Sequence, residues 1–250
     1  MKIIISNNSF ELGQSAALVA SELIKTAITK NGQANIILAT GTSQFEVLNQ
    51  LTKEIIDWSK VVLFHLDEYI GLPASSPASF RKYLTERFIE KVSPFKACHL
   101  VNGETDPHQE CMRLGELIER NPVDVALVGI GENGHLGFND PPADFDTTQA
   151  FIVVTLDEKC RKQQLGEGWF TTLEEVPRKA ITMSIQQIMK STHIICSVPD
   201  SRKAVAVRDC LESPVSDIYP ASILQLHKHC SCFLDKESSS LLKRIKIKPV

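Results

Sequence analysis

Four short segments of this 250-residue chain combine residue types that can do chemistry. In His65-Leu66-Asp67-Glu68-Tyr69 two adjacent carboxylates follow an apolar run, where burying them is costly unless they have a task or a partner. Neighbours on an extended chain face opposite sides, so one of the two can enter a site, and Asp67 is the candidate general base. The second segment runs Gly129-Ile130-Gly131-Glu132-Asn133-Gly134-His135-Leu136-Gly137-Phe138-Asn139-Asp140-Pro141-Pro142. Its glycines let backbone wrap closely about a small ligand, and His135 with Asp140 forms a candidate acid–base couple. A carboxylate beside a histidine fixes its tautomer and raises its basicity. The third, Thr40-Gly41-Thr42-Ser43, is a turn with small hydroxyl residues suited to an anion. In the fourth, Pro199-Asp200-Ser201-Arg202-Lys203, a cation stands in a first helical turn, where the dipole favours an anion. Lys203 therefore reads as a phosphate ligand. The ordinary alternatives are a capped turn for Thr40–Ser43, a surface turn for Asp67 and solvated side chains for His135 and Lys203.

Positioning these segments requires strand ends. Runs over 2–5, 35–39, 61–66, 97–100, 123–129, 151–155, 180–184, 193–198 and 230–234 predict nine strands, rich in Val and Ile. Amphipathic stretches between them predict helices over 9–30, 45–53, 79–91, 107–120 and 201–211, with Ser9 as the first cap and Asn31-Gly32 as that helix's stop. The alternation implies an α/β fold with a mainly parallel sheet covered by helices on both faces. No repeat, linker or composition break divides residues 1–250, which predicts one domain. The stretch 157–175 lacks a clear pattern and reads as a loop of the kind that covers a site. In an open α/β sheet ligands bind beyond the carboxyl ends of the strands, where all four segments fall.

The glycines after the fifth predicted strand formally spell G-x-G-x-x-G, but a dinucleotide fingerprint needs a helix to start there. Gly137 and the prolines at 141 and 142 argue instead for a structured loop. A net charge of -3 gives no footprint for nucleic acid. The basic run Lys243-Arg244, Lys246 and Lys248 reads as a solvated end. Three apolar residues at the start, Ile3 to Ile5, fall short of a signal peptide or membrane span. Seven cysteines without a tight framework read as reduced thiols, so a cytoplasmic protein without disulfides is expected. The cluster His227, His229, Cys230 and Cys232 resembles a metal set in composition. On a strand, however, the histidines and the cysteines face opposite sides, and no metal is expected.

The segments Leu66-Asp67-Glu68-Tyr69-Ile70-Gly71-Leu72-Pro73 and Gly129 to Pro141 resemble the glucosamine-6-phosphate deaminase family. The resemblance continues through Ala39 to Ser43, Val176-Pro177, Ser201 to Lys203 and Pro220 to His227, nearly the whole chain. It implies a single three-layer α/β/α domain with a Rossmann-like sheet. It also implies an enzyme, converting an amino-sugar phosphate and water to a ketose phosphate and ammonia without a metal or organic cofactor. On the matching positions Asp67 would be the enolisation base, His135 the ring-opening residue, and Asp140, where many members carry Glu, its partner. Asn133 matches a position that is Asp in some members. Thr40, Gly41, Thr42, Ser43, Gly134 and Lys203 match substrate-binding positions. The Arg that some members place before an aromatic pair, as a phosphate clamp, is missing; Arg161 and Lys162 are the candidates to replace it. The segment 144–151 also lacks the basic residues that bind activator in regulated members, so no activation by an acetylated sugar phosphate is expected.

Two other readings compete. A 6-phosphogluconolactonase resembles this fold but usually carries Thr after the histidine, where this chain has Leu136. A sugar-phosphate-sensing regulator would normally carry a DNA-binding helix-turn-helix, and a first strand starting at Lys2 leaves no room for one ahead of it. The expected partner is a small amino-sugar phosphate, with no nucleic acid and no membrane; the sequence leaves a homo-oligomer open.

Overall fold

The computed structural model describes residues 1–92 and 94–243. Of the basic C-terminal run only Lys243 is among them, its backbone N–H donating to Glu212 Oε1 (2.7 Å); Arg244, Lys246 and Lys248 lie outside the described residues.

The strands are β1 (Lys2–Ser6), β2 (Ala34–Leu38), β3 (Val61–His65), β4 (Asp67–Tyr69), β5 (Ala97–His99), β6 (Val125–Val128), β7 (Phe151–Thr155), β8 (Lys179–Met183), β9 (His193–Val198) and β10 (Cys230–Asp235). The α-helices are α1 (Ser9–Asn31), α2 (Phe45–Leu51), α3 (Phe80–Arg87), α4 (Pro107–Glu119), α5 (Glu158–Gly166), α6 (Ile185–Met189) and α7 (Ala204–Glu212). Seven strands form one sheet in the order β1-β10-β9-β6-β2-β3-β5, every adjacent pair parallel. Its central strands are buried on both faces, which is why they read as unbroken apolar runs. Along β2, Ile37 joins one core, while Ile36 and Leu38 join the other; β3 divides Val62 and Phe64 from Val61 and Leu63 in the same way. α1 and α2 cover one face through Leu12, Ala16, Ala20, Val47 and Leu48. α4, α6 and α7 cover the opposite face through Leu114, Ile118, Ile185, Ile188 and Val207. Helix, sheet and helix are the three layers expected.

Three expectations need correction. The seventh and sixth predicted strands, β8 and β7, do not join the parallel sheet; β8 pairs antiparallel with β7 on one side and with β4 on the other in a separate sheet, β4-β8-β7. The first helix is capped by Asn8, whose side chain accepts from Glu11 N–H, and Ser9 is its first helical residue; Gly32 closes it with a positive φ of 76°. The stretch after Asp157 is not a patternless loop, since Asp157 caps α5 by accepting from Cys160 N–H. α5 buries only Cys160 and Gln164, so it carries almost no apolar stripe to read.

The chain winds outward through β2, β3 and β5, then restarts on the other side of β2 with β6. The carboxyl ends of β2 and β6 therefore diverge at a switch point, where a crevice opens. Among the described residues no helix is long and apolar enough to cross a membrane.

Candidate active site

A narrow cleft opens at that switch point, where ligands of open α/β sheets bind. Thr40, Gly41 and Ser43 line it from the end of β2, Asp67 from β4, and Gly129, Gly131, His135 and Gly137 from the loop after β6. Lys203 lines it from the turn entering α7, and Gln163, Gln164 and Glu167 from α5 and its C-cap. Phe80 and Phe138, stacked at 5.6 Å, complete the wall.

Asp67 and Glu68 are both buried, with different surroundings. Glu68 accepts from Ser79 Oγ (2.8 Å) and from the backbone N–H groups of Tyr69, Phe80 and Arg81, with the Arg81 side chain also beside it. It thus holds the N-terminus of α3, where the open amides and the dipole favour an anion. Burial pushes its carboxyl up, and those hydrogen bonds oppose the rise. Among the described residues nothing donates to the Asp67 carboxylate, which faces the cleft. Burial, with the Glu68 charge adding to it, holds the Asp67 carboxyl well above the usual range. A carboxyl so raised is a stronger base once ionised.

The glycine loop is built around His135. Its ring lies so close over Gly131 that a Cβ there would stand 2.2 Å from two ring atoms. Gly137, at φ 62°, passes beside Asp67, whose Oδ2 would lie 3.3 Å from a Cβ at that position. His135 Nδ1 is 3.3 Å from Asp140 Oδ1, in reach as an ion pair but off the line of a good hydrogen bond. The shorter Asp140 side chain therefore meets the histidine directly. Asn133 Oδ1 accepts from His135 N–H, which turns its amide nitrogen toward Asp140 Oδ1 (3.1 Å) and Asp157 Oδ2 (3.3 Å). Asp157 N–H donates to Asp140 Oδ2 (3.0 Å). Burial raises the Asp140 carboxyl, but contact with His135 and these donors outweigh it and hold it below the usual range. Asn133 and Asp140 thus stand behind His135, away from the cleft lining.

Lys203, also on the cleft lining, is 3% exposed, and among the described residues its ammonium has no ion-pair or hydrogen-bond partner. Burial lowers its pKa, opposed by the charges of Glu167 and Glu132. A buried cation facing a cleft beside Thr40, Gly41 and Ser43 suits a dianionic ligand group. Tyr83 donates its hydroxyl to Gly41 O (3.0 Å), and Gln44 Nε2 reaches Ser43 Oγ and the carbonyls of Val128 and Ser197. These contacts tie the turn to the ends of β6 and β9.

Two residues expected to bind substrate lie outside this cleft. Thr42 faces a neighbouring hollow with Phe45 and Arg202. Gly134, at φ 86°, has its α-carbon against α7, and its carbonyl accepts from Ala221 N–H. Neither candidate for the missing clamp reaches the site. Arg161 donates to the carbonyls of Leu173 and Val176, and Lys162 pairs with Glu158 at the surface. In their place the cleft presents Gln163, Gln164 and Glu167, which the sequence reading missed. Glu167 accepts from Gln163 Nε2 and Trp169 Nε1, and Trp169 packs on Phe45 and Tyr83. The tryptophan was the one available signal, an aromatic needing a partner for its N–H. The cluster weighed as a metal set does not converge: His227 Nε2 is bonded to Ser191 O, while Cys232 packs inside the sheet core.

Residues 7–232 match the sequence profile of the family described as glucosamine-6-phosphate isomerases/6-phosphogluconolactonase. The glucosamine-6-phosphate deaminase of Lactobacillus delbrueckii subsp. bulgaricus is 35% identical over 97% of this chain and 100% of its own length. That of Lactococcus lactis subsp. cremoris is 38% identical over 98% and 100%. The solved structure of a monomeric glucosamine-6-phosphate deaminase superposes with a TM-score of 0.89 at 34% identity, covering 96% of this chain and 100% of that one. A 6-phosphogluconolactonase from Trypanosoma brucei shares the fold at a TM-score of 0.80 and 18% identity, over 97% and 98%.

Proposed function

The chain belongs to the glucosamine-6-phosphate isomerase/6-phosphogluconolactonase family, and on that premise we propose that it is a deaminase that converts glucosamine-6-phosphate and water to fructose-6-phosphate and ammonia. Relatives above 30% identity bear the deaminase name, whereas the lactonases compared are alike in fold alone. The observation that carries the reading is the cleft itself, with an unpartnered buried carboxylate and an imidazole on its walls and a buried ammonium beside a hydroxyl-bearing turn.

His135 moves the proton between O5 and the C1 hydroxyl oxygen that opens the sugar ring, with Asp140 orienting the imidazole and stabilising its charged form. Asp67 then removes the C2 proton of the open chain as the electron pair shifts through C1 toward O1. Returning a proton to C1 leaves an imine at C2. Water adds to that carbon, ammonia departs, and the ketone forms. Lys203 and the Thr40–Ser43 turn hold the phosphate, so binding energy remote from the reacting carbons positions C2 over Asp67. Leu136, where the lactonases usually carry a hydroxyl residue, also favours the deaminase.

The test is to supply purified protein with glucosamine-6-phosphate, its galacto epimer and 6-phosphogluconolactone separately, assaying ammonia, ketose phosphate and lactone hydrolysis. Ammonia and fructose-6-phosphate in equal amounts from the gluco substrate support the proposal. Lactone hydrolysis without ammonia release overturns it.

A further inference from the structure

Behind His135 the fold assembles a group that the deamination does not use. Cys160, in the first turn of α5, is fully buried and lies against the His135–Asp140 couple. A ring nitrogen of His135, a carboxylate oxygen of Asp140 and Cys160 Sγ all fall within 4.8 Å of one another, and His135 Nδ1 is the nitrogen beside Asp140. Imidazole, carboxylate and thiolate are the donor set of zinc, with bond lengths of ~2.0–2.3 Å, so donors around a tetrahedral ion stand ~3.3–3.8 Å apart. Contraction by about 1 Å brings the three to that spacing. A second observation points the same way. His135 is 8% exposed, and its Nδ1 has no well-directed hydrogen bond, which is rare for a buried ring nitrogen.

We propose that His135, Asp140 and Cys160 form a binding site for a thiophilic divalent cation of the zinc type, and that its occupation inhibits the enzyme. The ion reaches the site through the cleft that His135 lines. It takes the Nδ1 lone pair of neutral His135, an oxygen of ionised Asp140 and the sulfur of Cys160, whose thiol proton leaves to solvent; water fills the fourth position. With the metal between them, Asp140 no longer supports the histidine, and the ring, bound through Nδ1, carries its proton on Nε2 and can no longer accept one there. The rate consequence rests on the role proposed for His135, whereas the binding does not.

The test uses metal-free full-length protein and three forms: wild type, Cys160→Ser, and a Cys98→Ser/Cys111→Ser double variant that removes the two cysteines nearest the surface. Zinc affinity is read by competition with a chromogenic chelator, and thiolate ligation by the charge-transfer absorption of the cobalt(II)-substituted protein. Wild type and the double variant bind one zinc, show the thiolate–cobalt band and lose activity in step with occupancy. Cys160→Ser keeps its activity without metal, lacks the band and binds zinc at least about tenfold more weakly, since even loss of an outer-shell partner costs ~10–100-fold. Equal zinc affinity and a persisting band in Cys160→Ser overturn the site, as does their disappearance in the double variant. If Cys160→Ser does not fold, the double variant alone decides. Zinc binding in a protein that releases no ammonia upholds the site and removes only the functional reading.

Discussion

Asp67 and Glu68 are consecutive residues of one three-residue strand, yet Glu68 collects donors from Ser79 and three backbone amides while Asp67 has none among the described residues. The strand's alternation sends one carboxylate to the start of α3 and the other to the cleft. One side chain therefore supports the architecture, and its neighbour is left free to react.

Replacing Glu68 should be felt first as lost stability. In Glu68→Gln the amide nitrogen meets donors where the carboxylate met partners, and a buried donor left unsatisfied costs ~1–3 kcal/mol. At ~2–4 °C per kcal/mol for a chain of this size class, thermal unfolding should show a Tm lower by at least about 2 °C.

The pH profile should report Asp67. As the proposed base, Asp67 must be ionised to act, and burial together with the Glu68 charge raises its pKa. The rate should therefore climb with pH through a value above the ordinary aspartate range, so the acid limb of kcat/KM lies above pH ~4. Removing the neighbouring charge in Glu68→Gln should move that limb down, retaining activity to lower pH. By linkage, the same raised carboxyl makes its contribution to folding stability fall as pH increases from the ordinary aspartate range through the raised value. An acid limb at or below pH ~4 in wild type would contradict the assignment.

Lys203→Met should separate binding from folding. Loss of a charge-assisted contact to phosphate, at ~1.5–3 kcal/mol, raises KM at least about tenfold. Because the ammonium is buried without a protein partner, its removal should leave Tm unchanged or higher. Steady-state kinetics beside a thermal melt read both.

Gly131→Ala should damage catalysis without replacing any reacting group. The new Cβ would fall 2.2–2.4 Å from the His135 ring, so the imidazole must move. A displacement of ~1 Å is enough for about a hundredfold loss in kcat. Wild-type kcat in this variant would show that the position of His135 is unimportant.

The parallel strands were legible because strands buried on both faces are continuous apolar runs bounded by turns. β4 was not. Asp67-Glu68-Tyr69 has no strand signature of its own and is extended because β8 pairs with it antiparallel. α5 escaped notice for a related reason, since Lys159, Arg161, Lys162, Gln163 and Gln164 leave no apolar periodicity. At the site, strand-end logic brought Asp67, His135, Lys203 and the Thr40–Ser43 turn to one region. It did not reveal which side of each turn faces in, and Thr42 and Gly134 face elsewhere. The donors of Glu68, from Tyr69 and from Ser79 to Arg81, are near it in sequence but are set by the turn that starts α3, whereas the cover supplied by Gln163 and Glu167 comes from a distant part of the chain that only tertiary structure brings to the cleft.

The most direct test of the central claim is the steady-state rate of ammonia release by Asp67→Asn with glucosamine-6-phosphate. Removal of a positioned general base predicts a kcat lower by at least about a hundredfold, with KM changed far less because the phosphate contacts remain. A kcat equal to that of the wild type would contradict the account.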